Sequence, residues 1–121
     1  MIILDTSVWV DHFRRPDPAL SDLVADEDIA LHPYVWGELL LGGMPSRGEA
    51  AEQLEALQQP PLASASEAAA FISWASLTGT GIGYVDAHLL VSAKLLPDGR
   101  VLTRDNRLQA QAKRLGLAFD P

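Results

Sequence analysis

Apolar positions along the chain fall into short runs whose period switches repeatedly. Met1–Leu4 is a continuous apolar run that ends at Asp5, and the following TSVWVDHF repeats its apolar residues at helical spacing. The pattern predicts a short buried strand and then a helix over Ser7–Phe13. Asp17-Pro18 has the form of a helix start, with the acid as cap and proline in first position, so Ala19–Ala25 should be helical. Ile29–Leu31 predicts a second strand, and Pro33 opens an apolar helix that Gly42-Gly43 stops after Leu41. Ser46-Arg-Gly-Glu49 and Ser64-Ala-Ser-Glu67 both have capping-box spacing, predicting helices that reach Gln58 and Leu77 with a turn at Pro60-Pro61 between them. Gly79, Gly81 and Gly83 mark a loop before a helix over Tyr84–Leu96. Arg100–Thr103 reads as a strand, Asn106–Leu115 as a helix and Leu117–Phe119 as a closing edge strand.

Strands alternating with helices predict an α/β fold: a three-layer α/β/α sandwich around a mainly parallel central sheet. The chain has 121 residues and shows no repeat, linker or low-complexity tract, so one domain over 1–121 is expected. No apolar run approaches the roughly 20 residues that span a membrane. Asp5 interrupts the N-terminal apolar run, so no signal peptide is expected. The absence of cysteine excludes disulfides and thiolate zinc sites and fits a reducing cytoplasm. With sixteen acids against nine Lys and Arg, the net charge of −7 argues against a general nucleic-acid coat protein.

Four acids stand out. In a parallel sheet, ligands gather at the carboxyl ends of the strands. Asp5 follows the first strand and Asp105 follows the Val101-Leu102 strand, so both should reach the same edge. Glu38 lies inside the apolar stretch YVWGELLL, and Asp86 shares a helical face with Leu89, Leu90 and Ala93. A carboxylate facing a core is costly unless it is protonated or finds a cation. Each acid also has a simpler use, as a helix cap or a solvated edge residue. Jointly, converging carboxylates call for a hard cation, and oxygen-only ligation suits Mg²⁺ or Mn²⁺. His12, His32 and His88 fall in unrelated places and are given no chemistry.

DTSVWVDHF, the isolated GEL of WGELLLG, GIGYVDAHLL and LTRDNRL resemble the successive signatures of PIN-domain nucleases, and most closely those of the VapC toxins of toxin–antitoxin pairs. The resemblance spans Met1 to about Gly116, in family order and spacing. It implies a Mg²⁺-dependent endoribonuclease, Mn²⁺ able to substitute, whose catalytic acids correspond to Asp5, Glu38, Asp86 and Asp105. Asp5, Asp86 and Asp105 would bind the metal directly or through water, and Glu38 would be either a ligand through water or the base that orients the nucleophile. Ser7 and Thr103 match the hydroxyl residues that support the acids, and Arg104 and Arg107 would contact RNA phosphates. Many relatives carry a further acid just after the last aspartate, where this chain has Asn106-Arg107.

The same resemblance implies inhibition of translation by cleavage of a structured RNA, a transfer or ribosomal RNA. It also implies a cognate VapB-like antitoxin that blocks the acidic site. Ala- and Leu-rich helices with Phe71 and Trp74 predict a two-fold homodimer. Haloacid-dehalogenase-like phosphatases would need a second Asp where Ser7 stands. Response-regulator receivers would need an acidic pair before the strand-end Asp and a later Lys, and neither is present. A catalytically silent PIN-like interaction module is the alternative, and the presence of all four acids counts against it.

Overall fold

The computed structural model describes residues 1–26 and 28–120. Three short parallel strands form its sheet, with β1 (Ile2–Leu4) between β2 (Ile29–Ala30) and β3 (Arg100–Leu102). Ile2 and Ile3 pair with Ile29 and Ala30 on one side, while Ile2, Ile3 and Leu4 pair with Arg100, Val101 and Leu102 on the other. Every residue of β1 is buried. Successive strand side chains point to opposite faces, so both faces of the sheet must be covered. The covering helices are α1 (Thr6–Arg14) and α2 (Pro18–Ala25) between β1 and β2. Between β2 and β3 come α3 (Pro33–Leu41), α4 (Glu49–Glu55), α5 (Ala65–Trp74) and α6 (Tyr84–Leu95), and α7 (Asn106–Arg114) follows β3. This is the expected α/β sandwich.

The central helix is α6. Its residues Ala87 to Ala93 are all buried, and it packs on β1 and β3. Leu89 and Leu90, with no exposed surface, each contribute about 2 kcal/mol of apolar burial. The return from α6 into β3 passes so close to the helix that a Cβ at Gly99 would overlap the Ala93 carbonyl oxygen. Only glycine lets that turn close. From β1 the chain goes first to β2 on one side and then past it to β3 on the other. The carboxyl ends of β1 and β3 therefore flank the point where strand order reverses, which is where open α/β sheets bind ligands.

Most predicted elements form within a residue or two of the expected bounds. The Ser64–Glu67 capping box forms in full: Glu67 N–H donates to Ser64 Oγ at 3.1 Å and Ser64 N–H to Glu67 Oε1 at 2.9 Å. The Ser46–Glu49 box does not form. Gly48 caps α4 instead, with φ at +107° and no side-chain cap bond, so the chain cannot be helical from Ser46 onward. That left-handed turn sets the start of α4 at Glu49; the helix ends at Glu55, capped by Ala56, and Gln58 beyond it bridges Ala30 on the outer side of β2. The closing edge strand reduces to a single parallel bridge between Val101 and Ala118, with Val101 N–H donating to Leu117 O at 2.7 Å. Among the described residues no helix is long and apolar enough to cross a membrane.

Two of the histidines meet inside the fold rather than lying apart. His32 and His88 are buried with ring centroids 6.4 Å apart, and Tyr34 and Tyr84 stand edge-on to His88. His32 Nδ1 accepts the Tyr34 N–H at 3.0 Å and so caps α3, a role open only to the neutral ring. Burial, and then the neighbouring His88, lower the His32 pKa from 6.5 to about 4. The folded state thus holds fewer protons than the unfolded chain between those values. Stability should be complete above pH 6.5 and decline as pH falls towards 4, by on the order of 3 kcal/mol from this group. Urea unfolding of wild type and His32→Asn across pH 4–7 measures this. Asn can keep the cap without titrating, so its stability curve should be flatter.

Candidate active site

The site begins where β1 ends. Asp5 N–H donates to Leu102 O at 2.9 Å, which fixes the strand end beside β3, and the Asp5 side chain then caps α1. Its carboxylate is 7% exposed and takes three donors: Thr6 N–H on Oδ1 at 2.7 Å, Ser7 Oγ on Oδ2 at 3.0 Å and Thr103 Oγ1 on Oδ2 at 2.7 Å. A nearly buried carboxylate is tolerable because those donors replace water. Thr103 Oγ1 also accepts the Asp105 N–H at 3.0 Å, and Ser7 Oγ accepts the Arg104 N–H at 3.3 Å. Two hydroxyls thereby join the loops after β1 and β3.

The other acids approach from α3, α6 and α7. Asp105 is exposed, and its Oδ1 caps α7 through the Arg107 and Leu108 N–H groups at 2.9 and 3.0 Å. Asp86 is half-buried, and its Oδ2 accepts the Gly83 N–H at the start of α6 at 3.1 Å. Glu38 is exposed, and its Oε1 accepts from Thr6 Oγ1 at 2.8 Å. Burial raises the Asp86 pKa most. The Gly83 bond opposes that rise, and the charges of Asp5, Asp105 and Glu38 add to it. The four acids therefore share one electrostatic neighbourhood.

The chain is similar to known proteins over nearly its whole length. Residues 2–114 match the family model of the PIN domain. Ribonuclease VapC32 of Mycobacterium tuberculosis, in strains CDC 1551 / Oshkosh and ATCC 25618 / H37Rv, is 39% identical over 119 residues, covering 98% of this chain and 96% of the relative. The chain belongs to the VapC-type PIN-domain family. The crystal structure of PAE2754 from Pyrobaculum aerophilum superposes on this PIN domain with a TM-score of 0.52 at 19% identity. That match covers 98% of this chain and 89% of the other, and it speaks for the fold.

Two arginines next to Asp105 in this PIN domain have neighbours of their own. Arg104 Nε lies 2.8 Å from Asp11 Oδ2, and the Arg107 side chain runs beneath Gly81, in the loop before α6. Thr6 is a contact that sequence reasoning missed. Ser7 drew attention as the hydroxyl near the first acid, yet Thr6 is the residue that reaches Glu38. The signal was present in the adjacent hydroxyls of DTS, since successive residues at a helix start point to different neighbours. Among the described residues, no group of three or more His, Cys, Asp or Glu side chains is arranged to hold a metal ion directly. The all-oxygen donor set suits a cation that keeps most of its water and takes one or two carboxylates, the habit of Mg²⁺.

The two central acids should respond oppositely to amide substitution. The raised Asp86 pKa means that its ionised form costs stability at neutral pH, and an Asn there still accepts the Gly83 N–H. Asp86→Asn should raise the melting temperature in EDTA. Asp5→Asn puts an amide NH₂ against donors and should cost about 2 kcal/mol. Thermal melts of both variants in EDTA at pH 7 check the two signs.

Proposed function

We propose that this chain, as a single PIN domain over 1–121, is the toxin of a type II toxin–antitoxin pair. In this reading it is a Mg²⁺-dependent endoribonuclease, with Mn²⁺ able to substitute, acting in the cytoplasm. It cuts a structured transfer or ribosomal RNA and so inhibits translation. The observation that carries the proposal is the gathering of four carboxylates at the β1/β3 edge of a VapC-type chain. Asp5, Asp86 and Asp105 would hold the metal, directly or through its water. When bound, Mg²⁺ supplies Lewis acidity and a water of lowered pKa.

The chain's own residues do the positioning. Ser7 and Thr103 hold Asp5 Oδ2 while the Thr6 N–H holds Oδ1, which fixes the carboxylate. Glu38 either holds a metal-bound water or takes the proton of the attacking water, and Thr6 orients it for both. Arg104 and Arg107 flank Asp105 as phosphate contacts. Nothing in these residues reads a base sequence, and a charge of −7 disfavours bulk RNA. Selection then rests on an RNA fold that presents an open strand or loop.

Two partners belong to this reading. A cognate VapB-like antitoxin places a basic side chain among the acids. A largely apolar groove of about 410 Å³ between α1 and α3, lined by Val10, Phe13, Leu39 and Met44 together with Arg14 and Glu38, suits an apolar segment of that antitoxin. A second copy of the chain covers Trp74, which is 65% exposed on α5 with Lys94 Nζ 4.5 Å above its ring. Phe71, by contrast, is buried within the protomer.

Induction in cells followed by sequencing of new RNA 5′ ends tests the activity. Wild type should produce ends at one or a few positions in a transfer or ribosomal RNA, and Asp5→Ala should produce none of them. Scattered cuts across messenger RNA would remove the selectivity, and identical profiles would remove the nuclease. Light scattering at micromolar concentration should give twice the 13.1 kDa chain mass for wild type and a lower mass for Trp74→Glu. Monomeric wild type would end the homodimer proposal.

A further inference from the structure

Beside the acids, at the end of α1 where the chain turns into α2, lies an open cleft of about 550 Å³. Its walls carry Arg14, Arg15 and Arg104, three of the nine Lys and Arg of a chain whose net charge is −7. All three arginines are exposed, and two prolines stiffen the turn that forms the far wall. Two acids line the cleft as well. Asp17 is occupied, since its Oδ1 caps α2 by accepting the Ala19 N–H at 3.0 Å. Asp11 pairs with Arg104 at 2.8 Å, both side chains being about half exposed (52% and 51%). Arg104 also ties the cleft to the acids: its backbone N–H donates to Ser7 Oγ, and Ser7 donates to Asp5.

We propose that this cleft binds the RNA phosphodiester backbone next to the cleaved bond, with Asp11 holding Arg104 until a phosphate displaces it. The proposal rests on the nuclease reading for its ligand. An exposed ion pair is weak, because water screens it and two long side chains must be ordered to make it. A phosphodiester carries one full charge and accepts the guanidinium fork through two oxygens. Exchange of Asp11 for phosphate therefore costs little and releases the counterions condensed on the RNA. Arg14 and Arg15 have no carboxylate within ion-pair distance among the described residues, so they meet a phosphate without breaking a bond first. The result is a local positive seat on an acidic protein, beside the acids that would cut.

The test uses the full-length chain in Mg²⁺ with an Asp86→Asn background to stop cleavage, and anisotropy of fluorescein-labelled bulk transfer RNA over a salt series. Asp11→Asn should tighten binding about two- to fivefold, the equivalent of one surface ion pair. Arg14→Ala with Arg15→Ala should weaken binding and flatten the slope of log affinity against log salt by about 1.4, for two lost phosphate contacts on single-stranded RNA. Unchanged or weaker binding by Asp11→Asn, an unchanged slope in the arginine double variant, or no binding by the background chain overturns the cleft. If the double variant fails to fold by circular dichroism, Asp11→Asn decides alone. Cleavage by the chain without the Asp86 change is measured on the same RNA. Cleavage without the binding pattern sinks the cleft alone, whereas the binding pattern without cleavage supports the cleft and removes transfer RNA as the substrate.

Discussion

One buried hydrogen bond holds the two halves of the site together: Thr103 Oγ1 donates to Asp5 Oδ2 across 98 residues of sequence. The parallel ladder aligns β1 with β3 but says nothing about the loops that leave them. Thr103 extends the alignment into those loops, because the same hydroxyl that donates to Asp5 accepts the Asp105 N–H. Asp5 starts α1 and Asp105 starts α7, so this contact fixes two helix origins at once. Thr6, the first residue of α1, then reaches Glu38 on α3. Four elements are thus indexed to a single buried carboxylate, and its burial is tolerated only because all its donors are in place.

Capping and catalysis are not competing explanations of these acids. Asp5, Asp86 and Asp105 each accept a backbone N–H at a helix start, which uses one side of the carboxylate and orients the other. A helix N-terminus stabilises negative charge, so three acids in one neighbourhood are each partly offset by the backbone. The offset is incomplete at Asp86, where burial and three neighbouring acids outweigh the Gly83 bond and the pKa rises. A bound cation would relieve that residual imbalance, which arises because α6 is the most buried helix next to β1 and β3.

Legibility followed the range of the interactions. β1 was readable because a strand buried on both faces is apolar at every position, and α5 because its capping box spans three residues. The Ser46 box failed on an equally local fact, the left-handed Gly48, which the motif spacing does not register. Convergence of Asp5 and Asp105 at one edge was readable from topology, since strand ends in a parallel sheet point the same way. For Glu38 the sequence left a core-facing and a solvated-edge position both open, and the structure takes the second. Of its helix only Val35 and Leu39 are buried, while Leu41 is 91% exposed and Glu38 lies at the open edge. The Asp11–Arg104 pair and the meeting of His32 with His88 depend on tertiary packing, and no spacing in the chain announces either.

Between α1 and α3 runs a largely apolar groove: the buried Leu39 and, past the end of α3, Met44 face Val10 and Phe13, and Phe13 remains 43% exposed. That groove ends at Glu38, so an apolar surface in contact with water adjoins a cluster of like charges. The free chain bears both costs side by side: exposed apolar area invites association, and the acids repel one another. A segment that is apolar along its length and basic at its tip removes both at once. Because the hydrophobic contribution is nearly independent of salt and the charged one is not, such a segment would stay bound under conditions that strip RNA from the arginines. In the proposed reading, such a segment would therefore cover the acids at salt concentrations that weaken the arginine–phosphate contacts, because groove and acids are adjacent.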